Sequence, residues 1–251
     1  MTPAQRHRAR ALGQVAVTAA NPAPVRGGAA ASEYELWRAK LGVDLRRLHE
    51  IQSTEAKIEL KRELAPEYND WIDGVLASEG GAEDDILTWN MIWRIDIGAF
   101  DAAMPLARYV LRHNLTLPDR FDRTAPTLIC EEIAEAAIKR LGQGTEDNDE
   151  NEERAAIAAM LRTLSEVNDL VEPPVDIFDQ VRAKLEKAQG LALIRQVELT
   201  SPDADGPAGA RRGAQERAAR HLRRAIELDD TVGVKKRLEQ LERAIRTAAD
   251  G

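Results

Sequence analysis

The sequence predicts an all-α protein built from helical hairpins, on three observations. Aromatic residues make up only 4% of the 251 residues, whereas Ala, Leu, Glu and Arg, which lose little rotamer freedom in a helix, are abundant. Apolar residues recur every three or four positions between glycine and proline breaks, which is the spacing of amphipathic helices. The hydrophobic fraction of 43% is also sufficient for a buried core.

Residues 1–32 are predicted to form a flexible basic arm. Prolines and glycines interrupt any helix that begins there, and the segment contains no acidic residue. Its arginines give it a charge of +4, so the rest of the chain, whose overall charge is −8, carries −12. The arm either contacts DNA or serves only as a solubilising tail. The arginines concerned are Arg6, Arg8, Arg10 and Arg26.

Residues 33–141 are predicted to form a helical core and oligomerisation domain that begins with a long helix from 33 to 62. This helix would be about 45 Å long, too long to bury its apolar stripe against a small local core. We therefore expect the stripe to pair with another helix, from the same chain or from a second copy. Two helices that separate near Gly42 or Ser53 are the alternative. The stripe has near-heptad spacing and consists of Tyr34, Trp37, Leu41, Leu48, Ile51 and Ile58.

Basic residues accompany this stripe along the long helix. Arg46 and Arg47 are the candidates for contact with DNA phosphates. The alternative is a solvated face on which neighbouring glutamates, such as Glu50 and Glu55, neutralise these arginines. The sequence leaves both interpretations open.

Glycine, proline and acidic residues mark the next helices of this domain. Pro66 fits a first helical turn, and Gly80 ends that helix. Asp84 and Asp85 suit the start of the following helix, because negative charge is stabilised at a helix N-terminus. Apolar residues at four-residue spacing predict a mainly buried edge in that helix, formed by Trp89, Trp93 and Ile97.

The remaining sequence predicts a loop and a second helical domain. The stretch 142–153 is acidic, polar and glycine-bearing, and we expect it to form a solvated acidic loop. Residues 154–251 are predicted to form a C-terminal helical domain. Its closing pair of helices resembles a tetratricopeptide hairpin, and the predicted seam of that pair is Val234, Leu238, Leu241 and Ile245.

Missing motifs exclude several classes of function. There is no GxxxxGK[ST] loop to cradle nucleotide phosphates, so the chain is not a P-loop motor, and GxSxG and HExxH are missing as well. A single cysteine, Cys130, excludes an intramolecular disulfide framework, and no Cys/His set has zinc-ligand spacing. With no signal peptide and no apolar run of about 20 residues, we expect a cytoplasmic protein with no membrane span, metal or cofactor.

Four acidic residues are candidates for a metal-dependent site that cleaves phosphodiesters: Asp84, Asp85, Glu131 and Glu132. Two-metal nucleases need carboxylates that converge from different elements, and spacing along the sequence does not reveal convergence. The alternative is that these acids stabilise the first turns of helices through the helix dipole. The sequence therefore assigns no catalytic residue and leaves open whether the chain is an enzyme.

Several segments resemble one known family in collinear order. They are QRHRAR at 5–10, KRELAPEYNDWIDGVL at 61–76, GAEDDILTWNMIWRIDIGAFDAAMPLARYVLRHNLTLP at 81–118, RTAPTLICEEIAEAAIK at 123–139, VRAKLEKAQGL at 181–191 and HLRRAIELDDTVGVKKRLEQLER at 221–243. The family that they resemble is the small-subunit terminase family of Peduovirus-like tailed phages.

This resemblance implies a role in viral DNA packaging in the cytoplasm of the bacterial host. It implies a subunit that recognises double-stranded phage DNA at the packaging-initiation site and regulates or recruits a separate large subunit with ATPase activity. It also implies a homo-oligomer in the form of a ring. The family carries an endonuclease label, so the alternative is a subunit that cuts the packaging site itself, and Mg²⁺ is expected as a cofactor only in that case.

Overall fold

A computed structural model of the protein describes residues 7, 10–11, 29–119, 121–143, 149–172, 175–200 and 209–250, without the side chains of 29–32 and 248–250. Every regular element within these ranges is a helix, which confirms the predicted fold class. The chain divides into two compact units, residues 1–125 and residues 126–251. The boundary at 125/126 thus falls inside the range 33–141 that was predicted to be one domain.

The first unit contains five α-helices and one 3₁₀-helix within the described residues. The helix α1 is followed by α2, and the 3₁₀-helix continues directly from α2 into α3. The bounds are α1 Ala29–Glu50, α2 Thr54–Leu64, 3₁₀ Ala65–Tyr68, α3 Asn69–Ser78, α4 Asp85–Asp96 and α5 Phe100–His113.

The stretch from 33 to 62 forms two helices rather than the single long helix that was expected. The helix α1 ends at Glu50, and Ser53 caps the next helix, with extended backbone angles and a side chain that accepts a hydrogen bond of 3.3 Å from the amide of Ala56. Of the two breaks considered, the one near Ser53 is therefore observed. At its other end, α1 begins at Ala29, because three consecutive alanines favour helix.

An aromatic cluster forms the centre of the first unit. Tyr68, Trp71 and Trp93 are fully buried, with Tyr68 edge-on to Trp93 at a centroid distance of 5.8 Å. Trp37 of α1 packs on this cluster, 5.6 Å from Tyr68 and 6.1 Å from Trp71. Aromatic pairs at these distances stabilise a core beyond the area that they bury.

Buried Asp44 orients α1 on this cluster. Its carboxylate accepts hydrogen bonds from Tyr68 Oη at 2.7 Å, from Lys40 Nζ at 2.7 Å and from Arg47 Nη1 at 3.1 Å. Burial raises the pKa of Asp44, but the bonds from Lys40, Tyr68 and Arg47 together outweigh it and hold that pKa below its ordinary value. The buried charge is thus satisfied within one chain.

The second unit contains five helices within the described residues. The helices α8 and α9 pack closely, since a Cβ at Gly190 would lie only 2.5 Å from Leu222 Cδ2. The predicted seam of the last two helices lies in the core cluster of this unit: Val234 and Leu241 are buried, and Leu238 and Ile245 are partly buried. The bounds are α6 Ala125–Gly142, α7 Glu150–Leu170, α8 Asp179–Glu198, α9 Ala210–Leu228 and α10 Lys235–Asp250.

The predicted acidic loop at 142–153 is only partly described. The helix α7 begins at Glu150, where the side chain of Asp149 accepts a bond of 3.0 Å from the amide of Asn151. Residues 144–148 lie outside the described residues. No described helix has both the length and the apolar character required to cross a membrane.

Candidate nucleic-acid interface

The predicted basic arm lies almost entirely outside the described residues, which include neither Arg6 and Arg8 nor Arg26. Arg10 is described, and its side chain is exposed. The backbone of Arg10 packs on α3 at Gly74, where an added Cβ would lie 2.3 Å from the Arg10 carbonyl oxygen. Glycine at position 74 therefore permits this close approach.

The two α1 arginines differ in their partners. Arg47 Nη1 lies 3.1 Å from Asp44 Oδ1, so this arginine belongs to an intrahelical ion pair. Arg46 is exposed and makes no ion pair within the part of the chain that the structure describes. The interpretation as a solvated face with neutralised arginines thus fits Arg47, whereas the charge of Arg46 is not neutralised by any described residue.

Asp84 has a structural role at the start of α4. Its Oδ1 accepts hydrogen bonds from the amides of Ile86 at 2.8 Å and Leu87 at 3.1 Å, and its Oδ2 accepts one of 2.9 Å from Trp71 Nε1. Burial raises the pKa of Asp84 above its ordinary value, although the bonds from Trp71 and the two amides lower it. Neighbouring Asp85 pairs with Arg38 at 2.7 Å.

The other two acidic candidates lie on α6 in the second unit. Glu131 is buried and accepts a hydrogen bond of 2.6 Å from Lys184 Nζ, which also binds Glu135 at 2.6 Å. Half-buried Glu132 follows it in the helix. Within the described ranges, no group of three or more His, Cys, Asp or Glu side chains is placed to hold a metal ion.

A basic surface that the sequence analysis did not identify covers the C-terminal hairpin of α9 and α10. Residues 209–250 contain eleven Lys and Arg against seven Asp and Glu, in a chain whose overall charge is −8. Among the described residues, six of these cations make no ion pair and have exposed side chains. We call them the hairpin cations: Arg217, Arg220, Lys235, Lys236, Arg243 and Arg246.

A groove of about 470 Å³ runs between α9 and α10, and two of the hairpin cations, Arg220 and Arg246, line it. The acidic residues of the groove already have basic partners. Glu216 pairs with Arg212 at 2.9 Å, and Glu242 pairs with Arg223 at 2.8 Å. The positive charge of the groove is therefore not cancelled by its own carboxylates, and the surface can attract an anionic polymer such as nucleic acid.

A simple charge count over 209–250 would have revealed the positive balance of this hairpin, but not which cations are free. Arg224 and Glu227 pair within α9 at 3.1 Å, whereas Arg237 pairs with Glu198, which is distant in sequence, at 2.5 Å. The distant pairing depends on the packing of α8 and α10 in the same unit, which the sequence pattern does not specify.

The predicted oligomerisation stripe lies largely in the core of its own chain. Trp37, Leu41 and Leu48 are buried in the first unit, and the remaining stripe residues, Tyr34, Ile51 and Ile58, are partly buried. Among the described side chains of α1, the large apolar ones that are exposed are instead Leu36, at 69% exposure, and Val43, at 47%. They are seven positions apart and so share one face of the helix.

Comparisons with known proteins give consistent results. A family model described as "Phage small terminase subunit" matches residues 38–172. A protein of Escherichia phage P2 named "Terminase, endonuclease subunit" is 39% identical over 246 residues, which cover 98% of this chain and 86% of that protein. No solved structure matches significantly.

Proposed function

Since this chain belongs to the phage small terminase subunit family, we propose that it recognises phage DNA at the packaging-initiation site and recruits or regulates the large terminase subunit. The observation that carries the DNA-binding part is the set of six hairpin cations that have no acidic partner among the residues that the structure describes. Lys and Arg side chains that neutralise phosphates release counterions, and this release supplies most of the sequence-independent affinity for DNA. The protein would function in the cytoplasm of the host bacterium.

The arm would add to DNA affinity in the same way as the hairpin, by neutralising phosphates. Arg6, Arg8 and Arg10 of the arm are not offset by neighbouring acids in the sequence, and the groove cations Arg220 and Arg246 are not offset in the structure. A few phosphate contacts on one chain give weak binding. Several chains in one assembly would engage the same duplex at high effective concentration.

The test compares two pairs of arginines in the same hairpin. In Arg220→Gln with Arg246→Gln, two unpaired cations are lost, so the slope of log affinity against log salt should fall by about 1.8. The matched control is Arg212→Gln with Arg224→Gln, which removes two arginines that are already neutralised. Fluorescence anisotropy with duplex DNA of arbitrary sequence, over a series of KCl concentrations, measures both slopes. Equal slopes for the two variants, with folding intact, would refute DNA contact by the hairpin.

We also propose that the protein acts as a homo-oligomer, with the exposed face of α1 in the contact between copies. Leu36 and Val43 form an apolar patch on this face. Glu35 on its N-terminal side and Arg46 on its C-terminal side make no ion pair within the described residues. Two copies of α1 packed antiparallel would bring Glu35 of each near Arg46 of the other. Such a two-fold contact closes a dimer, so a ring would need a second contact between copies.

Sedimentation velocity at micromolar concentration tests this contact. Leu36→Glu with Val43→Glu should yield smaller species while the helical content remains. The control is Phe178→Glu, which removes a large exposed apolar side chain, at 64% exposure, from the second unit. A wild-type monomer, or an assembly that the α1 substitutions leave unchanged, would contradict the proposal.

The name of the phage P2 relative favours a second candidate function, a metal-dependent endonuclease that cuts the packaging site. Mg²⁺ would then be a cofactor. Nicking of a supercoiled plasmid by the purified subunit, with and without Mg²⁺ or Mn²⁺ and without the large subunit, tests this candidate. Mg²⁺-dependent nicking that persists after repeated purification would support it, and the lack of any nicking would assign cleavage to another component.

A further inference from the structure

Arg94 of α4 is a buried cation without an anionic partner. The residue as a whole is only 8% exposed. Its Nη2 donates to Asn69 Oδ1 at 2.7 Å and its Nη1 donates to the carbonyl of Ala102 at 3.2 Å, so both acceptors are neutral. A guanidinium has five N–H donors, and these two bonds use only two of them.

The guanidinium of Arg94 is a charge buried away from water, and its contacts only partly offset the free-energy cost of that burial. Burial lowers the pKa of this guanidinium, and exposed Asp73 offsets only part of that shift. No carboxylate lies within ion-pair distance of Arg94 in the described residues. A buried charge is costly unless it is paired, and an anion brought to this site would therefore gain a strong interaction.

Arg94 also lines a pocket of about 430 Å³ in the first unit. The pocket is open to solvent, and most of its wall is aliphatic: Ala65, Ile72, Leu76, Ile97, Ala102 and Leu106. Two further charged residues, Arg62 and Asp73, also line it, so the pocket carries a net positive charge with Arg94. This volume lies toward the lower end of the range for ligand-binding pockets, which is about 300 to 1,000 Å³. A group that fits must be partly apolar and must present an anion to Arg94.

We propose that this pocket binds a protein segment that presents a carboxylate next to an aliphatic side chain, and that the segment belongs to the large terminase subunit. A carboxylate matches the planar fork of a guanidinium, and the aliphatic side chain would replace water against the apolar walls. Nucleic acid fits poorly, because none of the described residues that line the pocket has an aromatic side chain on which a base could stack. The identity of the partner rests on the proposed function, whereas the chemistry of the pocket does not.

N-acetyl-L-leucine is a suitable probe because it joins a carboxylate to a leucine side chain, as a peptide C-terminus does. Its neutral counterpart, N-acetyl-L-leucinamide, differs only in the lost carboxylate. We expect N-acetyl-L-leucine to shift the Arg94 side-chain N–H resonance in a saturable way, with a Kd in the millimolar range, and the amide to bind at least tenfold more weakly. Inorganic phosphate serves as a plain anion.

Ala102→Leu fills the pocket with a side chain while Arg94 and its bond to the carbonyl of residue 102 stay in place. This variant should lose binding of N-acetyl-L-leucine, and it should bind the purified large subunit at least tenfold more weakly. The matched control is Ala77→Leu, at an exposed position of α3 that does not line the pocket. Neither variant should alter the affinity for DNA, so that failure here is distinguishable from failure of DNA binding.

Four results would overturn the proposal. Saturable binding that is equal for the acid and the amide would show that the carboxylate is not recognised. Phosphate that competes as well as N-acetyl-L-leucine would show a general anion site, and no saturable shift would show no site. If Ala102→Leu and Ala77→Leu bind the large subunit equally well, the pocket is not its docking site.

Discussion

Substitution of Asp84 separates a structural role of this carboxylate from a catalytic one. In Asp84→Ala, the α4 N-cap is lost, which costs about 1 kcal/mol. The indole N–H of Trp71, which donates to Asp84 at 2.9 Å in a fully buried position, loses its acceptor, and this costs about 1 to 3 kcal/mol more. We therefore expect the free energy of unfolding to fall by about 2 to 4 kcal/mol.

The isosteric Asp84→Asn should be milder than Asp84→Ala. Asparagine caps helices as well as aspartate does, so its oxygen can still accept from the amides of Ile86 and Leu87. Its NH₂ group would then face the indole N–H of Trp71, and only that bond is lost. The expected loss is about 1 to 2 kcal/mol.

The pH dependence of stability provides an independent check on Asp84. The folded-state pKa is raised above 3.8 by burial, so the native state holds this proton at a pH where the unfolded chain has released it. The contribution of Asp84 to stability is therefore greatest below pH 3.8 and declines as the pH rises through the folded-state pKa. Asp84→Asn should lack this contribution to the pH profile.

Urea denaturation followed by tryptophan fluorescence measures these losses, and the order wild type, Asp84→Asn, Asp84→Ala should hold at neutral pH. A loss below about 1 kcal/mol for Asp84→Ala would refute the structural role. So would a wild-type-like stability of Asp84→Asn combined with the loss of Mg²⁺-dependent nicking, since that combination is the signature of a catalytic carboxylate.

Three further predictions concern stability. Trp93→Ala should lower the free energy of unfolding by about 3 to 5 kcal/mol, because Trp93 is only 1% exposed; a loss below about 1 kcal/mol in urea denaturation would contradict its place in the core. Asp44→Asn should be less stable than wild type at pH 7. The difference in free energy of unfolding should shrink below pH 3.8, because wild-type Asp44, whose pKa is lowered, becomes protonated there; stability curves of the two proteins that stay parallel with pH would contradict this. Gly190→Ala should cost about 1 to 3 kcal/mol by thermal or urea unfolding, since its Cβ would press on Leu222, whereas exposed Gly142→Ala should cost nothing measurable.

The positions of the helices could be predicted from the sequence, because they depend on local periodicity and on the residues at helix ends. Asp84 and Asp85 do begin α4, and Gly80 does lie just beyond α3. Of the predicted buried edge, Trp89 and Trp93 are in the core, whereas Ile97, which follows the last residue of α4, is half-buried. Helix ends and helix faces depend only on the few residues that surround each position, so the sequence is sufficient to predict them.

The candidate interface was predicted less well, because the pairing of charges is a property of the packed chain. The sequence drew attention to the arm, where no acids are present, and to the α1 arginines. It did not separate Arg220, which makes no ion pair with any described residue, from Arg223, which pairs with Glu242 at 2.8 Å across the hairpin. Both arginines follow the same local pattern in α9, and only the position of α10 distinguishes them.

The helical character of the chain, the residues that share each helix face and the family to which the chain belongs all follow from the amino-acid sequence. What covers each face follows only from the packing of the folded chain. Leu41 and Leu36 both lie on α1 at apolar positions, yet Leu41 is 3% exposed and Leu36 is 69% exposed. Periodicity places residues on a common face, but burial and ion pairing depend on elements that are distant in sequence and adjacent only after folding. The unpaired, buried charge of Arg94 is a further consequence of that packing.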